Sequence, residues 1–241
     1  MKEFLGFGGY TRTPEGAYSW QHLLFVGSLL AIMTILAVVL GKKNRNASLQ
    51  QKNKVIIASA ILIDAFEIFK IVVLCLRADG GPSLEPIKYT LPLFLCSIQL
   101  IALPLAAFTR GRLQEACRDF VAVFGLLGAV LGTVGAAQNY NAYPVLAFHN
   151  VVSTITHSIS GFASLYIGFA RMTSMKKRNI GITFTILLSV CVLAYVANVL
   201  IPYNYMFLMQ GDGTPYDILY NLVGGSPVLY PLCVVVLFLG Y

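Results

Sequence analysis

Two side chains in this 241-residue sequence have the types that nucleophilic acyl transfer needs: a thiol, Cys96, and an imidazole, His157. Cys96 lies in the apolar run from Thr90 to Pro104, TLPLFLCSIQLIALP, three residues ahead of Gln99. On a helix that spacing places thiol and amide on one face. A cysteine among leucines is by default a small hydrophobe, and it becomes a nucleophile only beside an imidazole or a cation. His157 is the candidate base; it shares a stripe with Ser153 and His149, at spacings of four, which offer a partner for its second ring nitrogen. A thiol and an imidazole in an apolar setting suit an ester whose chain dissolves where the thiol sits, with a hydroxyl resolving the thioester.

Other polar residues interrupt the apolar runs. Asp64, Glu67 and Lys70 recur at intervals of three, which confines them to roughly a third of a helix circumference. Each such charge costs at least about 2.5 kcal/mol at the centre of an isolated membrane helix, so the set reads as an ion pair locking two helices, a proton relay or a ligand contact. His22 follows Trp20 and Gln21 at an interface, Asn198 closes another apolar run, and Asn204 and Tyr205 follow it. Gln99, Asn198 and Asn204 are candidate oxyanion donors. The three histidines fall at different depths without a carboxylate set, so no metal centre is expected. Without a glycine-rich phosphate loop, no nucleotide or other cofactor is called for.

The elements that position these residues follow from composition. Hydrophobic residues make up 57% of the chain and charged residues 11%, and mean hydropathy is +0.75. A soluble domain carries about 25% charged residues, so this is expected to be a polytopic membrane protein. Seven runs approach the roughly 20 residues a crossing requires: 20–40, 55–77, 90–109, 116–137, 146–170, 180–201 and 227–241, the last being short. Loops are short, so residues 1–241 read as one membrane-embedded, all-α domain. The first run is long enough to be kept as a crossing rather than cleaved as a signal peptide. Five scattered cysteines without CxxC spacing define neither a disulfide framework nor a zinc site. Gly125, Gly128, Gly132 and Gly135 form a stripe for close helix packing.

The net charge of +7 is explained by orientation. Lys42, Lys43, Arg45, Lys52, Lys54, Arg110, Arg112, Arg118, Arg171, Lys176, Lys177 and Arg178 gather on one side, against Lys2, Arg12, Arg77 and Lys88 on the other. The positive-inside rule then puts the amino terminus outside, and nucleic acid is not an expected partner. Counting 1.5 Å per residue from the outer ends, Cys96 lies about 9 Å deep and His157 about 16 Å, near the midplane. The polar residues thus crowd the outer half, which implies an outward-opening pocket. The loop at Gly80-Gly81-Pro82 and the longer one from Pro202 to Pro227 lie on that side.

At these residues the chain resembles the YwaF / transmembrane protein 164 family of integral membrane proteins. Leu91 to Ser97 (LPLFLCS) is similar to the family's LPLxLCS signature, His157-Ser158 to its HS element, Asn204 to Leu208 (NYMFL) to its NYMFL element, and the His22 region to its first-helix histidine. Phe94 stands where the family often has histidine, and Gly224-Gly225-Ser226-Pro227 replaces a more aromatic stretch. The resemblance implies an acyltransferase-like fold, an animal member being described as a phospholipid acyltransferase with a membrane-embedded cysteine and histidine.

The expectation is therefore a multi-pass cell-membrane acyltransferase acting on a membrane lipid, with Cys96 as nucleophile, His157 as base and the Asn204–Leu208 element covering the pocket. A carrier for a small solute or ion, with Asp64, Glu67, Lys70 and His157 as its path, and a ligand-binding membrane protein are the alternatives. No pair of similar halves supports the carrier.

Overall fold

A computed structural model of the chain describes residues 2–77 and 81–240; Gly80 and Tyr241, assigned above to a loop and to the last run, lie outside them. Among the described residues the chain is helical with no strand. Ten α-helices follow in order: α1 (Lys2–Leu5), α2 (Trp20–Asn44), α3 (Leu49–Leu76), α4 (Gln99–Phe108), α5 (Gly111–Leu131), α6 (Ala137–Ala142), α7 (Phe148–Phe169), α8 (Ile180–Leu200), α9 (Asp217–Leu222) and α10 (Leu229–Gly240). Short 3-10 turns occupy Glu85–Tyr89, Lys177–Asn179 and Tyr205–Phe207.

Local chemistry sets several boundaries. The Ser19 and Ser48 hydroxyls accept the backbone N–H groups of His22 and Gln51, each at 3.3 Å, and so start α2 and α3. Apolar side chains carry α2 through 25 residues, and α2 and Lys177–Leu200 are the two described helices long and apolar enough to cross a membrane. The apolar helices α4 and α10 have 10 and 12 residues.

The third apolar run departs from the continuous helix its hydropathy suggests. Pro92 has no N–H to give, and the backbone from Thr90 to Ile98 is irregular until α4 starts at Gln99. Ser97 and Ile98 N–H groups both donate to the Phe94 carbonyl, at 2.9 and 3.1 Å, making a tight turn that carries Cys96. Cys96 therefore precedes the helix that Gln99 begins, and the two do not share a helical face. Irregular backbone of this kind survives in apolar surroundings when protein covers it; Thr90 to Ser97 are half-buried and Ile98 is fully buried.

The bundle is organised around α7, which packs against α2, α3 and α5. Its residues are small where helices cross. A β-carbon on Gly125 of α5 would lie 2.9 Å from the Ser160 carbonyl oxygen, and one on Gly161 of α7 would lie 2.6 Å from Ala129 Cβ. Ser160 and Ser164 hydroxyls donate across the same interface to the Gly125 and Ala122 carbonyls at 3.3 and 2.6 Å. Where small side chains admit close approach, packing and such hydrogen bonds hold helices together without a hydrophobic driving force.

Polar clamps fasten the end of α7 and the segment after it. Buried Lys52 donates from Nζ to the Ala170 carbonyl at 2.7 Å, and Tyr166 bridges the Lys52 carbonyl and the Asn44 amide at 3.2 and 3.0 Å. Asp119 accepts from Ser174 N–H and Oγ, Met175 N–H and the Asn179 amide, which fixes the segment leading to α8.

Candidate active site

His157 stands on the face of α7 that looks toward α5 and the Cys96 turn. Its Nδ1–H donates to the Ser153 carbonyl at 2.7 Å, while the Ser153 hydroxyl lies 3.5 Å from the same nitrogen. That bond leaves Nε2 as the ring's free acceptor. The Cys96 thiol lines the same small cavity as the imidazole, close enough for the two to act on each other, with the Ser97 hydroxyl beside the thiol. The arrangement is that of a cysteine beside an imidazole whose ring orientation is set by main chain.

Gly128 of α5 and Gly132, which caps its end, make the bed for this pair. A β-carbon on Gly128 would lie 3.3 Å from Cys96 Cβ, and one on Gly132 would overlap His157 at Cδ2 and Nε2. One part of the stripe read as packing thus admits α7, at Gly125, and two of its members admit the thiol and the ring.

Thiol and imidazole open onto a cavity of about 40 Å³, whose polar lining is Glu67, Lys70, Ser97, Thr156 and Ser160 and whose apolar lining is Ile63 and Leu100. It is water-sized, since one water needs roughly 10–15 Å³ by this measure, and an ester must widen it to enter. Lys70 Nζ pairs with Glu67 Oε1 at 2.7 Å, with side chains only 12% and 14% exposed. Both belong to α3, so the pair ties no second helix.

The turn bearing Cys96 is held from outside the cavity. Tyr205, fully buried, donates from its hydroxyl to the Lys88 carbonyl at 2.5 Å and accepts the Leu91 N–H at 3.2 Å. Asn198 in turn donates its amide to the Tyr205 carbonyl at 3.0 Å and accepts the Tyr205 N–H at 2.7 Å. Phe94 packs against Tyr205 and Phe207, with ring centroids 5.3 and 5.9 Å apart. Asn204 closes its own loop, bonding the Gln210 carbonyl, the Met209 N–H and Asp212. The Asn204–Leu208 element is thus a clamp on the Cys96 segment, and none of its residues lines the cavity.

Of the residues singled out in the sequence, Cys96, His157, Glu67 and Lys70 meet at the cavity, and Ser153 supports His157. His22 is elsewhere: fully buried, it accepts the Tyr18 N–H at 2.9 Å, reaches the Thr133 carbonyl at 3.2 Å and stacks on Tyr140 at 3.8 Å. His149 packs on Tyr143, centroids 5.4 Å apart, outside the cavity lining. Gln99 is fully buried with both amide atoms unpartnered, and it does not line the cavity. Sequence reading overlooked Ser97, Thr156 and Ser160 as lining and the two glycines as bed; adjacency to Cys96 and the spacing around His157 were the available signals. A larger apolar groove of about 530 Å³ lies between α2 and α3, over Ile155, Ser158, Ile159 and Phe162 of α7, and reaches neither Cys96 nor His157.

No curated protein and no solved structure matches this chain. A family model does: that of the TMEM164 family, over residues 17–241. With nearly all of its length matched, including both halves of the thiol–imidazole pair, the chain belongs to the TMEM164 family.

Proposed function

We propose that this membrane protein crosses the cell membrane seven times with its amino terminus outside, and that it transfers acyl groups between membrane lipids through Cys96 and His157. The sidedness of the basic residues supports the topology. The observation that carries the chemistry is the His157 ring: Nδ1 is tied to the Ser153 carbonyl and the ring faces the only nucleophilic side chain of its kind at the cavity, Cys96.

In this reading His157 Nε2 takes the thiol proton and the sulfur adds to an ester carbonyl carbon. The tetrahedral intermediate collapses, the departing alkoxide takes the proton from His157, and a lysolipid leaves a Cys96 thioester. A second lipid hydroxyl then gives its proton to His157, attacks the thioester and restores the thiolate. Water need not take part. The test is transfer of label from acyl-labelled phosphatidylcholine to a lysophospholipid in liposomes holding the purified protein. Transfer that depends on Cys96 is expected; an undiminished rate in Cys96→Ala overturns the reading.

The Glu67–Lys70 pair at the cavity favours a second reading, a carrier for a small solute. Liposome flux that survives Cys96→Ala and is lost in Glu67→Gln selects it.

A further inference from the structure

Addition of sulfur to an ester carbonyl puts negative charge on oxygen, and an apolar site must supply donors for it. The amides expected in that role are engaged or absent: Asn198 donates to the Tyr205 carbonyl, Asn204 to the Gln210 carbonyl and Asp212, and Gln99 does not line the cavity. Lys70 does line it. An ammonium has three N–H donors, and the described contact uses one, to Glu67 Oε1 at 2.7 Å. Two charges three residues apart on one helix join no elements, yet both are seven-eighths removed from solvent. Desolvating such a pair costs several kcal/mol per ion, which the attraction repays only when further hydrogen bonds engage the remaining ammonium protons, and the described contact engages one.

We propose that Lys70 binds the oxyanion formed as the Cys96 thiolate adds to the carbonyl of a lipid ester, with the Ser97 hydroxyl, released from the sulfur as the S–C bond forms, as second donor. This rests on the acyl-transfer reading. The carbonyl π electrons move to oxygen as the S–C bond forms, and the oxyanion accepts from a Lys70 N–H. On collapse the electrons return, the C–O bond to the alcohol breaks, and the alkoxide takes the His157 proton. Lys70 keeps its protons throughout, and Glu67 balances its charge before and after the oxyanion exists.

The test uses p-nitrophenyl palmitate presented to the full-length protein in nanodiscs, reading the p-nitrophenolate burst and the Cys96 thioester by intact mass. Lys70→Met is expected to slow the burst by roughly 10²–10³-fold, the usual loss for one oxyanion donor. Alkylation of Cys96 by iodoacetamide makes no oxyanion and is expected to keep its wild-type rate. Lys70→Arg, which retains charge and donors, recovers most of the burst. The double variant Glu67→Gln/Lys70→Met leaves no unpaired carboxylate and must lose the burst equally, which guards against a folding artefact. A wild-type burst in Lys70→Met, or equal losses of burst and alkylation, overturns the Lys70 assignment while acyl transfer stands. A wild-type protein that forms no Cys96 thioester overturns acyl transfer itself and this assignment with it.

Discussion

The backbone of Gly132 lies directly against the His157 ring, so close that a β-carbon there would occupy the space of Cδ2 and Nε2. The nitrogen it touches is the one left free by the Ser153 carbonyl bond. Gly132→Ala is expected to displace the imidazole and lower label transfer by at least about 10²-fold, the effect of a misplacement of about 1 Å. Its stability cost is that of overpacking, about 1–3 kcal/mol, readable by thermal unfolding in detergent. Gly128→Ala, whose new carbon would sit 3.3 Å from Cys96 Cβ, is expected to do less on both counts. Equal activity in Gly132→Ala and wild type would show that the ring position is immaterial.

Main chain, rather than the serine hydroxyl, orients His157. The carbonyl of Ser153 is at 2.7 Å from Nδ1 and its hydroxyl at 3.5 Å. Ser153→Ala is therefore expected to transfer label at nearly the wild-type rate, whereas His157→Ala loses at least about 10²-fold, as removal of a general base does. The transfer assay with both variants checks this, and a severe loss in Ser153→Ala would assign the orientation to the hydroxyl instead.

Tyr205 and Asn198 are expected to act on activity through the Cys96 turn. Tyr205→Phe leaves the Lys88 carbonyl and Leu91 N–H, both part-buried, without their partner, and each lost hydrogen bond costs about 0.5–1.5 kcal/mol. Asn198→Ala frees the Tyr205 N–H and leaves the Tyr205 carbonyl only the Leu208 N–H, at 3.3 Å. Both variants are expected to unfold at lower temperature and to show faster alkylation by bulky maleimides at Cys96 as the turn loosens. Unchanged melting in both would remove the clamp from the account.

Much of this arrangement was legible in the chain, and the reasons for the rest are physical. Hydropathy placed 20–40 and 180–201 where α2 (Trp20–Asn44) and α8 (Ile180–Leu200) lie, because long apolar runs with few charges leave little choice. It set the second run at 55–77, whereas α3 starts at Leu49: the Ser48 cap and a polar first turn extend the helix beyond its apolar part. It read Thr90 to Pro104 as helical, because hydropathy reports composition and not whether Pro92 has a partner to offer. Glu67 and Lys70 share a face of α3 as their spacing requires, but the helical rise used to place Cys96 does not hold, because Thr90 to Ile98 is irregular. His22, Asn198 and Asn204 carried the same polarity, yet their partners, Thr133, Tyr205 and Gln210, come from backbone positions that no side-chain pattern announces.

Acid should detach the amino-terminal segment before it disturbs the bundle. Glu15 Oε2 accepts the Val145 N–H at 2.8 Å, and Arg12 pairs with Oε1 at 2.5 Å. Burial raises the Glu15 carboxyl, but the Val145 and Glu15 backbone N–H groups and Arg12 outweigh it and hold it below its ordinary value. A carboxyl depressed on folding contributes stability above its unfolded value, about 4.3, and loses it as pH falls through the folded value. Protection of the Val145 amide, its exchange taken relative to the intrinsic rate at each pH, is therefore expected to fall below about pH 4, with Glu15→Gln showing the same loss at neutral pH. Protection of the Val145 amide that stays constant between about pH 3 and 7 would refute the contact.

The central claim is that Cys96 carries an acyl group during turnover, and intact-mass spectrometry of protein quenched while transferring a labelled acyl chain tests it most directly. The account predicts an added acyl mass that maps to the Cys96 peptide, disappears with neutral hydroxylamine, and is absent from Cys96→Ala. Turnover with no such adduct on Cys96, or with the same adduct on Cys96→Ala, would contradict it.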